Sequence, residues 1–237
     1  MPRKIVLTGD DTPSLYSSVY QQHYHSTHGA WQESMHVFIR AGLQNPALAF
    51  FKQREMPLQV LEMGFGTGLN ALLTFAEEQW QGHPLLYTAL EKHPLNAAEW
   101  QALHYPAIEK EPIKQALWQQ IQQAPWNKSA PVEARRHLLK LHTDLLNWEP
   151  AQNRYHLIFY DAFAPDAQPE LWTEEVFGKL YEATAPGGLL VTYCVKGSVR
   201  RALQAAGYAV EKIPGPPGKR EMTRACKPQD DPQKAPL

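Results

Sequence analysis

The chain has almost no cysteine, no long apolar run and almost no net charge, and each shortage removes a class of function. Cys194 and Cys226 are its two cysteines among 237 residues, far apart and outside any Cys-x-x-Cys spacing. That excludes a disulfide framework and a thiolate metal site, points to a reducing compartment, and leaves both side chains as small buried hydrophobes. No stretch approaches the length of a membrane-spanning helix, and the opening Met-Pro-Arg-Lys-Ile-Val-Leu-Thr-Gly-Asp-Asp has no long apolar segment behind its charges. A cytoplasmic location with no membrane partner is the expectation. With 43% hydrophobic, 11% aromatic and 20% charged residues, the disordered and fibrous classes drop out. The length suits one elaborated domain with a substantial core.

The formal net charge of −1 hides an asymmetry. Between residues 196 and 227 eight basic side chains (Lys196, Arg200, Arg201, Lys212, Lys219, Arg220, Arg224, Lys227) face two acids, Glu211 and Glu221, so this stretch is +6 and the remainder −7. A local basic face can bind nucleic acid at one place without making the protein a general polyanion binder; a solvated helix face and hairpin is the other reading.

Residues 60 to 68, Val-Leu-Glu-Met-Gly-Phe-Gly-Thr-Gly, form an apolar strand that ends in a carboxylate, Glu62, and three alternate glycines. Gly64, Gly66 and Gly68 allow a backbone to approach a ligand closely, and the helix that follows points its free amides there. The dinucleotide pattern G-x-G-x-x-G is not met, because Leu69 follows Gly68. Glu62 would repel a pyrophosphate but attract an ammonium and a sulfonium. S-adenosylmethionine has both charges and no phosphate.

Hydrophobic periodicity organises the rest. Residues 4 to 8 and 13 to 20 read as a small hairpin, and Met35, Phe38, Ile39 and Leu43 recur at helical spacing up to Asn45-Pro46. Strands are expected at 58–63, 85–90, 137–142, 155–160, 189–194, 208–213 and 222–226, with helices between most of them; Thr173 is a helix cap and Gly207 a helix stop. Residues 1–57 form an N-terminal elaboration and 58–227 the main domain, with a proline-punctuated insertion at 106–131 beside the sheet and a frayed tail at 228–237. Alternating strands and helices imply an α/β, Rossmann-like, mostly parallel sheet covered on both faces, with ligands at the carboxyl ends of its strands.

Acids fall at those ends. Glu91, 23 residues after Gly68, has close to the spacing at which a carboxylate binds ribose hydroxyls. Asp144 can accept the exocyclic amine of adenine, or cap a helix. Asp161 opens Asp-Ala-Phe-Ala-Pro-Asp and is the leading catalytic candidate, placed to hydrogen-bond an amine and stabilise the charge that grows on nitrogen; capping the next loop is its structural alternative. His23, His25, His28 and His36 line a polar cleft more readily than they bind a metal, since no spacing brings their nitrogens together, and Glu33 beside them could meet the cofactor's ammonium.

Four blocks carry a resemblance to a known family. His-Tyr-His-Ser-Thr-His-Gly-Ala-Trp-Gln-Glu-Ser (23 to 34), Glu-Met-Gly-Phe-Gly-Thr-Gly-Leu-Asn (62 to 70), Tyr-Asp-Ala-Phe-Ala-Pro-Asp (160 to 166) and Gly-Lys-Arg-Glu-Met (218 to 222) together resemble the methyltransferase half of MnmC. The glycine block suits any methyltransferase of this fold; the first and last are more specific. The resemblance implies a class I S-adenosylmethionine-dependent methyltransferase with a seven-stranded sheet whose last strand is antiparallel. It implies methyl transfer to the primary amine of 5-aminomethyl-2-thiouridine at the tRNA wobble position, and a chain without the FAD-dependent oxidase domain of the bifunctional enzyme. The candidate cofactor-binding residues are Glu33, Glu62, Gly64, Phe65, Gly66, Gly68, Asn70, Glu91, Asp144 and Asp161. Phe163 and Tyr193 are candidates to sandwich the flipped uracil, or else core aromatics, and Arg200, Arg201, Lys219 and Arg220 to contact tRNA phosphates. Two other readings stand beside it: an aminopropyltransferase using decarboxylated S-adenosylmethionine, and a non-catalytic RNA- or protein-binding module of the same fold. Oligomeric state is not legible in the chain.

Overall fold

The apolar runs become strands buried on both faces, as a parallel sheet requires. In the computed structural model, which describes residues 3–105 and 111–229, the main sheet contains β4 (Leu58–Met63), β5 (Leu85–Glu91), β6 (Ser129–Glu133), β7 (Arg136–His142), β8 (Tyr155–Tyr160), β9 (Thr184–Thr192), β10 (Ala209–Pro214) and β11 (Glu221–Cys226). Their order is β10-β11-β9-β8-β4-β5-β7-β6. The five central strands β9, β8, β4, β5 and β7 are mutually parallel, and β11 is inserted antiparallel between β9 and β10.

Eight strands stand where seven were expected. The extra one, β6, closes the insertion and pairs antiparallel with β7, shifting register between Pro131 and Glu133. An edge strand tolerates Pro131 because one of its sides needs no hydrogen-bond donor. Residues 106–110 of the insertion and 230–237 of the expected tail lie outside the described residues.

One face of the sheet is covered by α1 (Ala30–Ser34), which continues as a π-helix over Met35–Leu43, by α3 (Leu69–Ala76) and by α5 (Pro112–Gln123). Gly42 brings the π-helix onto the sheet: a Cβ there would lie 3.1 Å from Val191 and 3.2 Å from Phe159. The other face is covered by α6 (Glu174–Ala183) and α7 (Gly197–Ala205), through Val176, Phe177, Leu180, Val199 and Leu203. Thr173 caps α6 by accepting from the Val176 amide, and Gly207, with φ +107°, follows α7. Two short helices, α2 (Ala49–Gln53) and α4 (Ala97–Gln101), lie in connections. Cys194 is buried, Cys226 is half-buried, and both are free thiols.

The N-terminal hairpin is a three-stranded antiparallel sheet, β1 (Arg3–Leu7), β2 (Pro13–Ser17) and β3 (Gln22–His23). Arg3 fixes it to the main domain: Nη1 meets both Glu99 carboxylate oxygens at 3.0 Å, Nε donates to the Tyr24 hydroxyl at 2.7 Å, and Nη2 donates to the His93 carbonyl. No helix among the described residues is long and apolar enough to cross a membrane.

Candidate active site

The carboxyl ends of β4, β5, β7, β8 and β9 converge on a cavity of about 240 Å³. Its floor is the glycine loop. Gly64, Gly66 and Gly68 have φ of +85°, +50° and +78°, a backbone that side chains strain. A Cβ on Gly64 would press within 2.8 Å of the Asp161 carbonyl, and one on Gly66 within 3.2 Å of the Tyr24 ring. The loop is held from three sides. Glu91 accepts from the Gly66 amide at 2.9 Å, Gln122 on α5 donates to the Thr67 carbonyl at 2.7 Å, and His25 reaches the Thr67 hydroxyl at 3.4 Å while touching Ser14 at 2.9 Å. Burial pulls His25 down to about 4, so it sits there neutral.

Among the described residues five acids line the cavity: Glu33, Glu91, Asp144, Asp161 and, exposed at its edge, Glu170. Asp161 follows β8 and accepts from the Asn70 amide at 2.9 Å. Burial, with Glu33 adding repulsion, pushes its carboxyl up to about 7, against the opposing pull of Asn70 and Lys219. Glu91 divides its oxygens between the Gly66 amide and the His93 amide, at 2.9 and 2.7 Å. Asp144 caps the turn at Leu145–Asn147 through the Leu146 amide and pairs with Lys92 at 2.7 Å; these contacts outweigh burial and hold it below the usual carboxylate range.

Glu62 is a correction. It does not line the cavity but is fully buried beneath the loop, because strand alternation turns it away from the opening. The Asn70 side chain and the Tyr87 hydroxyl face it, yet neither Glu62 oxygen, nor Asn70 Oδ1, nor the Tyr87 hydroxyl completes a hydrogen bond. Burial first, then the charge of Asp161, drives the Glu62 carboxyl well above its ordinary range. Gly68 is the left-handed cap of α3, with Phe65 packed against it; Phe65 and Asn70 reach the cavity wall.

Phe163 and Tyr193 both line the cavity, but with different partners. Phe163 packs on Tyr20 and Tyr24 at 4.7 and 5.0 Å between ring centroids, whereas Tyr193 stands edge-on to Trp172 and donates to the Ala162 carbonyl at 2.9 Å. Lys219 faces inward, bonded to Glu33 and 4.5 Å above the Tyr193 ring. Arg220 and Arg201 are exposed and Arg200 half-buried; Arg200 and Arg220 both act on Glu221, which puts them in one neighbourhood. Among the described residues no three His, Cys, Asp or Glu side chains converge as a metal would need.

Sequence reasoning missed the roof. Tyr20, Gln22 and Tyr24 close the cavity from the N-terminal sheet, and Gln22 accepts from the Ala164 amide at 3.2 Å. The one usable signal was the cluster of polar aromatics at 23–28; His23 and His25 do line the cleft, while His28 packs against Gly218 and His36 bonds the Pro214 carbonyl.

This acid-rich, glycine-floored cavity fits a cationic ligand and would repel a pyrophosphate. A family described as S-adenosyl-L-methionine-dependent methyltransferase matches residues 108–228. The chain belongs to that family, and S-adenosylmethionine is its cofactor. It is 34% identical over 94% of its length to the tRNA 5-methylaminomethyl-2-thiouridine biosynthesis bifunctional protein MnmC of Aromatoleum aromaticum, and 33% identical over 94% to that of Cupriavidus necator. It spans about a third of those curated relatives, 35% and 34% of their lengths. Among solved structures, MnmC2 of Aquifex aeolicus superposes over 100% of this chain and 72% of its own, with a TM-score of 0.77 and 26% identity.

Proposed function

We propose that this protein transfers a methyl group from S-adenosylmethionine to the primary amine of 5-aminomethyl-2-thiouridine at the tRNA wobble position. The observation that carries the reading is Asp161. Its carboxyl stands at the cavity wall beside Phe163 and Tyr193, at the head of the loop after β8, with an affinity for protons near neutrality. The cofactor supplies an electrophilic methyl on its sulfonium, and the residues implicated in holding it are Glu33, Gly64, Phe65, Gly66, Gly68, Asn70, Glu91, Asp144 and Asp161.

An amine attacks only when unprotonated, and it arrives at pH 7 mostly as an ammonium. A carboxylate at the cavity wall, kept ionised by the bound cofactor's positive charge, can accept that proton and keep the nitrogen lone pair aimed inward through a hydrogen bond. Phe163 and Tyr193 offer apolar faces to an unstacked base, as RNA readers commonly do. Arg200 and Arg220, grouped near the β10–β11 turn, supply positive charge for the phosphate backbone. The names of the relatives support the substrate, and the basic patch supports a polyanion.

The test is methyl transfer by the purified chain to tRNA from a strain lacking the endogenous activity, with nucleoside mass analysis. Conversion of the aminomethyl to the methylaminomethyl nucleoside is expected; an unchanged wobble uridine, with the cofactor shown to bind, would sink the proposal.

A further inference from the structure

The Glu33–Lys219 pair joins segments 186 residues apart across the cavity. Each partner is built into place. Glu33 lies in α1 and its second oxygen accepts from the Ser26 amide at 2.9 Å. Lys219 is turned inward by the β10–β11 turn, where Lys219 N–H donates to the Pro216 carbonyl at 2.9 Å and Gly215 N–H to the Arg220 carbonyl at 3.2 Å. Gly218 has φ +85° and lies so close to the His28 ring that a Cβ would be 3.1 Å away. His36 fastens the start of the turn through the Pro214 carbonyl at 2.9 Å. The ammonium then rests on the Tyr193 face, 4.5 Å from the centroid.

We propose that Glu33 and Lys219 form a clamp for the α-amino-acid end of S-adenosylmethionine, in which Lys219 takes the carboxylate and Glu33 the ammonium. The pair presents one charge of each sign on the cavity wall and is neutral as a whole, so it complements a zwitterion laid head to tail against it. Lys219 is poorly placed to serve RNA phosphates instead. Drawing it outward would strand Glu33, whose side chain is only 12% exposed, as an unpaired buried carboxylate. Lys219 also becomes a specificity residue: a decarboxylated cofactor offers it no acceptor, which turns the site away from aminopropyl donors.

This inference rests on the family's cofactor and not on the tRNA substrate, so either can fail alone. Calorimetric titration of the full chain and of Lys219→Met with S-adenosylhomocysteine, decarboxylated S-adenosylmethionine and 5′-methylthioadenosine tests it. Loss of a charge-assisted contact predicts S-adenosylhomocysteine binding weakened by at least about tenfold, with the two ligands that lack the carboxylate changed by less than about twofold. Lys219→Arg should restore most of the loss. Unchanged S-adenosylhomocysteine affinity would overturn the clamp, and so would an equal loss for all three ligands, since Lys219 would then only hold the turn.

Discussion

At the scale of a residue, Asp161 ties cofactor affinity to pH. Without ligand its carboxyl is half-protonated near pH 7, because burial and Glu33 disfavour the charge. A cation brought beside it favours the carboxylate, so binding of S-adenosylmethionine at pH 7 should release a proton. The sign follows from the raised value: affinity falls as pH drops below 7 and levels off above it, a change of roughly tenfold between pH 6 and pH 8. Titration in buffers of different ionisation enthalpy measures the proton release directly. Asp161→Asn should abolish both the release and the pH slope and lower the methyl-transfer rate. The same raised value means that the ionised Asp161 opposes folding, with stability lost as pH rises from the ordinary carboxylate range through 7. Asp161→Asn should therefore melt higher than the parent at pH 8 while being less active. A pH-independent affinity in the parent chain would show that Asp161 does not sense the cofactor's charge.

At the scale of an element, the glycine loop is the floor on which the other parts converge. Gly64→Ala places a Cβ 2.8 Å from the Asp161 carbonyl at a φ of +85°, so either loop or β8 must shift. Strain of this kind costs about 1–3 kcal/mol, and the shift displaces Asp161 as well. The variant should unfold at lower denaturant and lose measurable cofactor binding, both accessible by chemical denaturation and calorimetry. Gly66→Ala meets the Tyr24 ring at 3.2 Å instead, a contact that a side chain can yield, so its effect should be smaller. If the two variants behave alike, backbone strain at Gly64 is not what the loop depends on. The contrast also shows what a sequence reveals. β4 and β8 were legible because continuous apolar runs ending in glycine or aspartate have few other uses, and both were located to the residue. β6 was not, because Ser-Ala-Pro-Val-Glu is a half-exposed edge strand with no periodic signal. Glu62 was read as facing the ligand from its distance to the glycines, but strand alternation, visible only once the pairing was known, sent it beneath them. The Glu33–Lys219 pair and the roof from Tyr20 to Tyr24 depend on contacts between distant segments, which no local pattern encodes.

At the scale of the whole molecule, a near-neutral chain must bind a polyanion locally if it binds one at all. The +6 stretch from 196 to 227 is less free than its count suggests. Lys196, Lys212, Lys219 and Arg224 are paired with Asp166, Glu221, Glu33 and Glu211. Lys227 donates to Asn153 and the Tyr181 carbonyl. Arg200, Arg201 and Arg220 have no acidic partner within salt-bridge distance among the described residues, and Arg200 and Arg220 both bear on Glu221 near the turn that delivers Lys219 into the cavity. A phosphate bound there would lie beside the mouth through which a wobble base would enter. Arg200→Ala combined with Arg220→Ala should then weaken tRNA binding and flatten its salt dependence. Each phosphate contact contributes about 0.7–0.9 to the slope of log K against log salt, so the double variant should lose about one to two. Cofactor affinity should be untouched, since neither arginine lines the cavity. A full salt slope in the double variant would move the RNA-binding face elsewhere on the molecule, whereas a drop confined to the rate would make the two arginines aligners of the bound tRNA rather than its anchors.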